Sequence, residues 1–392
     1  MKRGLALEGG GARGSYHIGV FKAFLENGYE FDGFVGTSIG AINSAILAQG
    51  DFELAYDLWH KISPEQLFHD EDQRLVSFSD VKLTKDTALN LGRSIKRVIS
   101  TGGFDTTKMK QFLAEYLDEE KIRNSGKDFG LVTYSVDERK AYEIHLEDIA
   151  EGKLINYIMA SAALPFFKSE IIDEKKFIDG GFYNNCPLNL LVDKNYDEII
   201  AVRTGSIGIF RKKKCRADVM VIEPSDDLGE FLSFTAEDAK FGIELGYYDG
   251  LRAIKNLRGR RYYLEAPELE EMEQNLVKIE TAFLEELCDL LDLKKLPPRR
   301  AFFEEIIPQI GSYLDLKKDF DYGDFIIALL ELAASKKGLP RFQLYDVPFF
   351  IERLKNTPQI EVEESLIGRM IHKISKKAIV TEKLIDYLLE KM

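Results

Sequence analysis

The residues best equipped for chemistry stand near the N-terminus. Gly36-Thr37-Ser38-Ile39-Gly40 sets a serine between two glycines. This is the G-x-S-x-G spacing of a tight strand-to-helix turn that holds a serine hydroxyl clear of the backbone. Upstream, Gly9-Gly10-Gly11-Ala12-Arg13-Gly14 follows the apolar run Leu5-Ala6-Leu7-Glu8 and leads into a helical pattern. Several backbone N–H groups can therefore converge beside the positive end of a helix dipole. A serine nucleophile and an anion hole are the two parts needed to attack an ester carbonyl and hold the resulting oxyanion. Arg13 braces the glycine loop, adds positive charge near that oxyanion, or is an ordinary surface arginine.

The serine also needs a base. Five histidines are available, His17, His60, His69, His145 and His372. None sits in a loop that suits the Ser-Asp-His order of the α/β-hydrolases. A carboxylate is the better candidate, and Asp179-Gly180-Gly181 follows the short apolar pair Phe177-Ile178. The aspartate would emerge at a strand end, where the two glycines admit another segment closely. An ordinary Asp-Gly turn explains the same residues, so at this level both readings stand. The glycine loop has an alternative too. Gly9, Gly11 and Gly14 satisfy G-x-G-x-x-G, and Glu30 or Asp32 lies near where a ribose-binding carboxylate would be expected. On that reading the chain is a nucleotide- or anion-binding regulatory module, and Ser38 is incidental.

The elements that must position these residues are legible in the apolar pattern. Ile18, Phe21, Phe24 and Leu25 predict a helix over 14–28, and Ala41 to Ala48 predicts a second helix that starts at the serine turn. Strands are expected at 130–136, 142–146, 177–178, 198–203 and 219–222, with a helix over 151–162. This alternation indicates an α/β layered fold with a mostly parallel central sheet. From about Pro267 strands give way to helices, with Leu276, Ile279, Phe283, Leu287, Leu290 and Leu291 tracing one long helix. Further helices are expected near 323–335 and 364–391. The boundary is placed near 265, giving a catalytic domain over 1–264 and a helical accessory domain over 265–392.

Composition narrows the classes. Hydrophobic residues at 45% and charged residues at 30% fit an ordinary globular chain. A net charge of −13 argues against a general nucleic-acid partner. Cys186, Cys215 and Cys288 are too few and too scattered for a disulfide framework or a zinc site, so neither metal nor cofactor is expected. With only a short apolar run before the glycines and no stretch long enough to span a bilayer, a cytoplasmic location is expected, with any membrane contact peripheral. Two basic stretches stand out. Residues 62–110 read as a surface helix or as a lid or interfacial docking element, and Arg211-Lys212-Lys213-Lys214 with Arg216 reads as a solvated loop or as a phosphate or anionic-lipid contact.

Taken together, the glycine block 9–14, the serine block 36–40 and Asp179-Gly180-Gly181 resemble the patatin-like phospholipase family over about residues 4–255. Ala160-Ser161-Ala162-Ala163-Leu164-Pro165 and Asn184-Asn185-Cys186-Pro187 add to the resemblance. It implies a three-layer α/β/α fold and a Ser-Asp dyad in which Asp179 takes the Ser38 proton. It also implies an oxyanion hole from the Gly9-Gly10-Gly11 block with the Ile39 N–H, and an acyl-serine intermediate. The substrate it implies is a phospholipid or another acyl-ester lipid.

Overall fold

The computed structural model describes residues 1–69, 103–164, 167–211, 213–266, 269–293, 295–358 and 375–392. It divides into two compact units, Met1–Ile254 and Lys255–Met392.

The first unit is built on one sheet. Strands β1 (Arg3–Leu7), β2 (Gly33–Thr37), β3 (Asp128–Ser135), β4 (Lys140–His145), β5 (Glu170–Ile172), β6 (Lys175–Asp179), β7 (Glu198–Val202) and β8 (Asp218–Ile222) join in a single ladder system. Five of them run parallel in the order β8-β7-β1-β2-β3. β4, β5 and β6 are antiparallel additions beyond them. Every residue of β2 is buried, as expected of a central strand covered on both faces.

Alternation along the strands divides the covering helices into two layers. Phe34 faces α1 (Ser15–Glu26), its ring 5.9 Å from that of Phe21. Its neighbour Val35 points the other way, into a cluster with Ala6, Val132 and the helix Leu188–Asp193. The α/β/α order follows. Helix α2 (Ile39–Ala48) begins directly after β2. The long helix Ala236–Lys255 lies against α1 through Gly242, Gly246 and Gly250, one per turn on one face, where any side chain would meet Ser15, Tyr16 or Ala23.

β3 acts as a ruler for the site. One of its sides pairs with β4 along Gly130–Ser135. The other side is shared end to end, with β2 covering Asp128–Val132 and β6 covering Thr133–Ser135. Thr37 thus ends β2 opposite Val132, and Asp179 ends β6 opposite Thr133. The two strands arrive from opposite directions and stop against each other.

The second unit is helical, with one short parallel pair between β9 (Tyr263–Glu265) and β10 (Leu344–Asp346). The division at Lys255 lies ten residues ahead of the boundary expected near 265, and the pair places Tyr263–Glu265 in this unit. The apolar face expected to form one long helix is broken into Leu269–Val277 and Thr281–Leu290. The break is stabilised by Arg299, whose guanidinium donates to the carbonyls of Val277 and Ile279 and so satisfies the exposed end of the first helix. Leu276, Ile279, Leu284 and Leu287 still share the core with Phe302, Phe325 and Phe350. Helices Tyr322–Lys336 and Lys376–Lys391 follow the expected pattern, and the start of the helix expected over 364–391 lies outside the described residues.

Candidate active site

Ser38 joins β2 to α2 with φ 56° and ψ −126°, in the left-handed half of conformational space that a side chain rarely occupies. Its flanking glycines are required by close approach. A Cβ on Gly36 would lie 2.1 Å from the carbonyl of Gly40, and one on Gly40 would lie 2.2 Å from the Leu7 carbonyl oxygen. The turn is fixed from behind by Ser161, whose Oγ accepts from Ser38 N–H at 3.0 Å and donates to Val132 O at 2.7 Å.

Asp179 is 3% exposed. Its Oδ1 accepts from Gly181 N–H at 2.7 Å, while Oδ2 is buried with no partner of hydrogen-bond geometry among the described residues. Burial pushes the carboxyl up to about 6, a rise that the adjacent Ser38 hydroxyl and the Gly181 N–H partly oppose. Ser38, Asp179, Gly9, Gly10 and Gly181 line one cavity of about 320 Å³, completed by Leu164, Phe182, Asn185, the segment Ser206–Ile209 and Phe231. Gly180 lies beside it, with its Cα against the Val132 carbonyl.

The glycine loop distributes its N–H groups unequally. Gly9 N–H donates to Asn185 O at 2.9 Å, and Ala12 N–H to Phe231 O at 2.8 Å. Arg13 N–H turns back to Gly10 O at 3.2 Å. The N–H groups of Gly10, Gly11 and Ile39 donate to no acceptor among the described residues. Gly11 has φ 56°, and a Cβ there would strike the Phe231 carbonyl oxygen at 2.2 Å, so glycine is needed on both counts. Gly14 closes the loop with its Cα packed against Ile39 and Trp59. Of the readings of Arg13, bracing fits its contacts: Nε donates to Gly229 O at 2.9 Å and Nη1 to Gly205 O at 3.4 Å.

The loop is also held by residues that the sequence did not single out. Glu8, 1% exposed, takes Thr204 N–H at 2.7 Å on Oε2 and the Arg203 guanidinium at 3.2 Å on Oε1. Thr204 Oγ1 is 2.8 Å from both Gly9 O and Ser206 Oγ. Glu8 adjoins the glycines and was the one visible hint. Nothing in the sequence links it to Thr204.

No histidine among the described residues lines this cavity. His17 is buried in α1, its Nδ1 3.2 Å from Asn43 Nδ2, and burial lowers it to about 3, so it stays neutral. The carboxylate needed for nucleotide binding is misplaced. Asp32 accepts from Arg3 N–H at 2.8 Å, at the start of β1, whereas the glycine loop follows its end. A five-residue strand separates the two by about 17 Å. Of the basic stretch 62–110, residues 70–102 lie outside the described residues, as does Lys212 of the second basic run.

Residues 5–192 match the family model for patatin-like phospholipase. The chain carries a patatin-like phospholipase domain. It is 28% identical over 205 residues to patatin-like phospholipase domain-containing protein 7 of Rattus norvegicus, covering 52% of this chain and 13% of that protein. It is 29% identical over 200 residues to an uncharacterized NTE family protein of Mycobacterium bovis, covering 51% of this chain and 30% of that protein. The patatin-like domain therefore aligns with less than a third of the length of either relative. The crystal structure of VipD from Legionella pneumophila superposes with a TM-score of 0.41 at 12% identity, covering 99% of this chain and 91% of that one. No helix among the described residues is long and apolar enough to cross a membrane.

Proposed function

We propose that this protein is a serine acyl-ester hydrolase of the phospholipase A or lysophospholipase type, with Ser38 as nucleophile and Asp179 as its base. The observation that carries the reading is the buried Asp179 carboxyl, which adjoins the Ser38 hydroxyl in one cavity and has one oxygen, Oδ2, without a hydrogen-bond partner among the described residues. An ordinary aspartate is a weak base. A carboxylate raised to about 6 accepts a proton more readily and is still mostly ionised at neutral pH.

The reaction proceeds in two halves. Ser38 Oγ attacks the ester carbonyl as its proton passes to Asp179 Oδ2. The oxyanion is held by the N–H groups of Gly10, Gly11 and Ile39, which have no other acceptor among the described residues. The C–O bond breaks, Asp179 returns the proton to the leaving alcohol, and an acyl-serine remains. Water then attacks the acyl-serine with Asp179 again taking the proton, the acid departs, and Ser38 regains its hydrogen. The patatin-like domain supports lipid esters as the substrate class.

The deciding test is hydrolysis of a short-chain p-nitrophenyl ester by wild type, Ser38→Ala and Asp179→Asn, with folding checked by circular dichroism. Turnover by wild type and background rates in both folded variants support the dyad. Equal rates in all three overturn it.

A further inference from the structure

We infer that the free edge of β8 is the interface of a homodimer, in which two copies pair their β8 strands antiparallel about a two-fold axis at Met220 and so extend one sheet across both molecules.

Of the strands at the margins of the sheet, β8 is the one left unprotected. Edges are ordinarily blunted by charged side chains, by proline or by shortness. β4 carries Lys140, Glu143 and His145, and β5 has three residues and begins with Glu170. β8 reads Asp218-Val219-Met220-Val221-Ile222, and pairs with β7 alone among the described strands. Val221 is 42% exposed, and Val219 and Met220 are half-buried, whereas every residue of the inner strand β2 is buried.

Register fixes which backbone groups are free. Asp218 N–H donates to Asp197 O at 2.9 Å and Arg203 N–H donates to Ile222 O at 2.9 Å, so Asp218, Met220 and Ile222 turn their peptide groups toward β7. The N–H and C=O groups of Val219 and Val221 therefore point outward, and none of the four has a hydrogen-bond partner among the described residues. A second β8 laid antiparallel, Met220 opposite Met220, sets Val219 of each copy against Val221 of the other. Residues opposed in that way exchange both bonds, so every free group on the two edges is satisfied.

The flanks of β8 make another copy of this chain the fitting partner. The segment entering the strand is basic, with Lys213, Lys214 and Arg216, and the segment leaving it is acidic, with Glu223, Asp226 and Asp227. Lys213 is paired with Asp193, whereas Lys214 and Arg216 are exposed and form no ion pair among the described residues. Antiparallel pairing lays the start of one strand beside the end of the other, so a basic flank meets an acidic flank on each side of the axis. Parallel pairing would set like charges together. The edge is thus complementary to itself, as an isologous interface requires, while an unrelated strand would match the backbone groups without this order of charge.

The test is sedimentation velocity of the full chain over a concentration series, where a monomer–dimer equilibrium is expected. Val221→Pro removes an N–H that the subunit itself does not use, at an edge position where proline is tolerated. It should weaken the dimer at least tenfold. Lys214→Glu/Arg216→Glu and, separately, Asp226→Lys/Asp227→Lys should each weaken self-association about tenfold, and an equimolar mixture of the two should restore it. Hydrogen exchange gives a readout that needs no variant: the Val219 and Val221 amides should be protected in the dimer and exchange freely on dilution to monomer, with Met220 protected in both. Should Val221→Pro fail to fold by circular dichroism, the charge exchange and the amides decide. A chain monomeric at every concentration, a dimer indifferent to these variants, or Val219 and Val221 amides protected in the monomer overturns the proposal.

Discussion

Thr37 and Asp179 end their strands one position apart along the same side of β3, Thr37 opposite Val132 and Asp179 opposite Thr133. The residue after Thr37 is Ser38, so the meeting of β2 and β6 brings a hydroxyl and a carboxylate together across 141 residues of sequence (179 − 38). Because both ends are fixed to one strand, their spacing depends on the sheet and not on a loop.

The rate should depend on the ionised form of Asp179. With its carboxyl raised to about 6, kcat/KM on a soluble ester is expected to be flat near neutrality and to fall about tenfold per pH unit well below pH 6. A profile whose acid limb lies at the ordinary carboxylate value near 4 would remove Asp179 as the base.

Asp179→Asn should inactivate the protein and stabilise it. Asp179 binds its proton more tightly folded than unfolded, so its ionisation opposes folding increasingly as pH rises from about 3.8 through about 6. A neutral amide removes that opposition. The gain should grow from about 1.5 kcal/mol at pH 5 to about 3 kcal/mol at pH 8. Urea unfolding at both pH values checks this, and a variant less stable than wild type at pH 8 would contradict it.

Thr204→Val should loosen the glycine loop, while Thr204→Ser should preserve it. Valine removes the hydroxyl that bridges Gly9 O, Ser206 and Glu8 within a buried site, a loss of about 1–2 kcal/mol in stability. If Thr204 positions the oxyanion N–H groups, kcat should fall with KM little changed, and serine should rescue it. Equal kcat in wild type and Thr204→Val would leave Thr204 a purely structural residue.

Gly40→Ala should fail at the level of folding. Its Cβ would meet the Leu7 carbonyl oxygen at 2.2 Å, a backbone atom that can move only by shifting β1. A destabilisation of about 3 kcal/mol or more is expected, read as a lowered denaturant midpoint. Gly28→Ala is the contrast. Gly28 has φ 79° with nothing within 4 Å, so only backbone strain of about 1 kcal/mol applies.

The parts whose physics is local could be read along the chain. The serine turn is legible because a serine at positive φ needs small neighbours within two residues, and Gly36 and Gly40 supply them. Asp179-Gly180-Gly181 was legible as a strand end, and the buried strands through their apolar runs. Whatever depends on register and partner choice emerged with the folded sheet. It spent the Gly9 N–H on Asn185 O, turned Arg13 into a brace, and put Asp32 at the far end of β1 from the glycines. It also brought Ser161 behind Ser38 and Thr204 against Glu8. Hydrogen bonds between strands that are distant in sequence leave no periodic trace. A buried polar group takes whichever partner the folded sheet delivers, so those assignments became readable only once the strands were aligned.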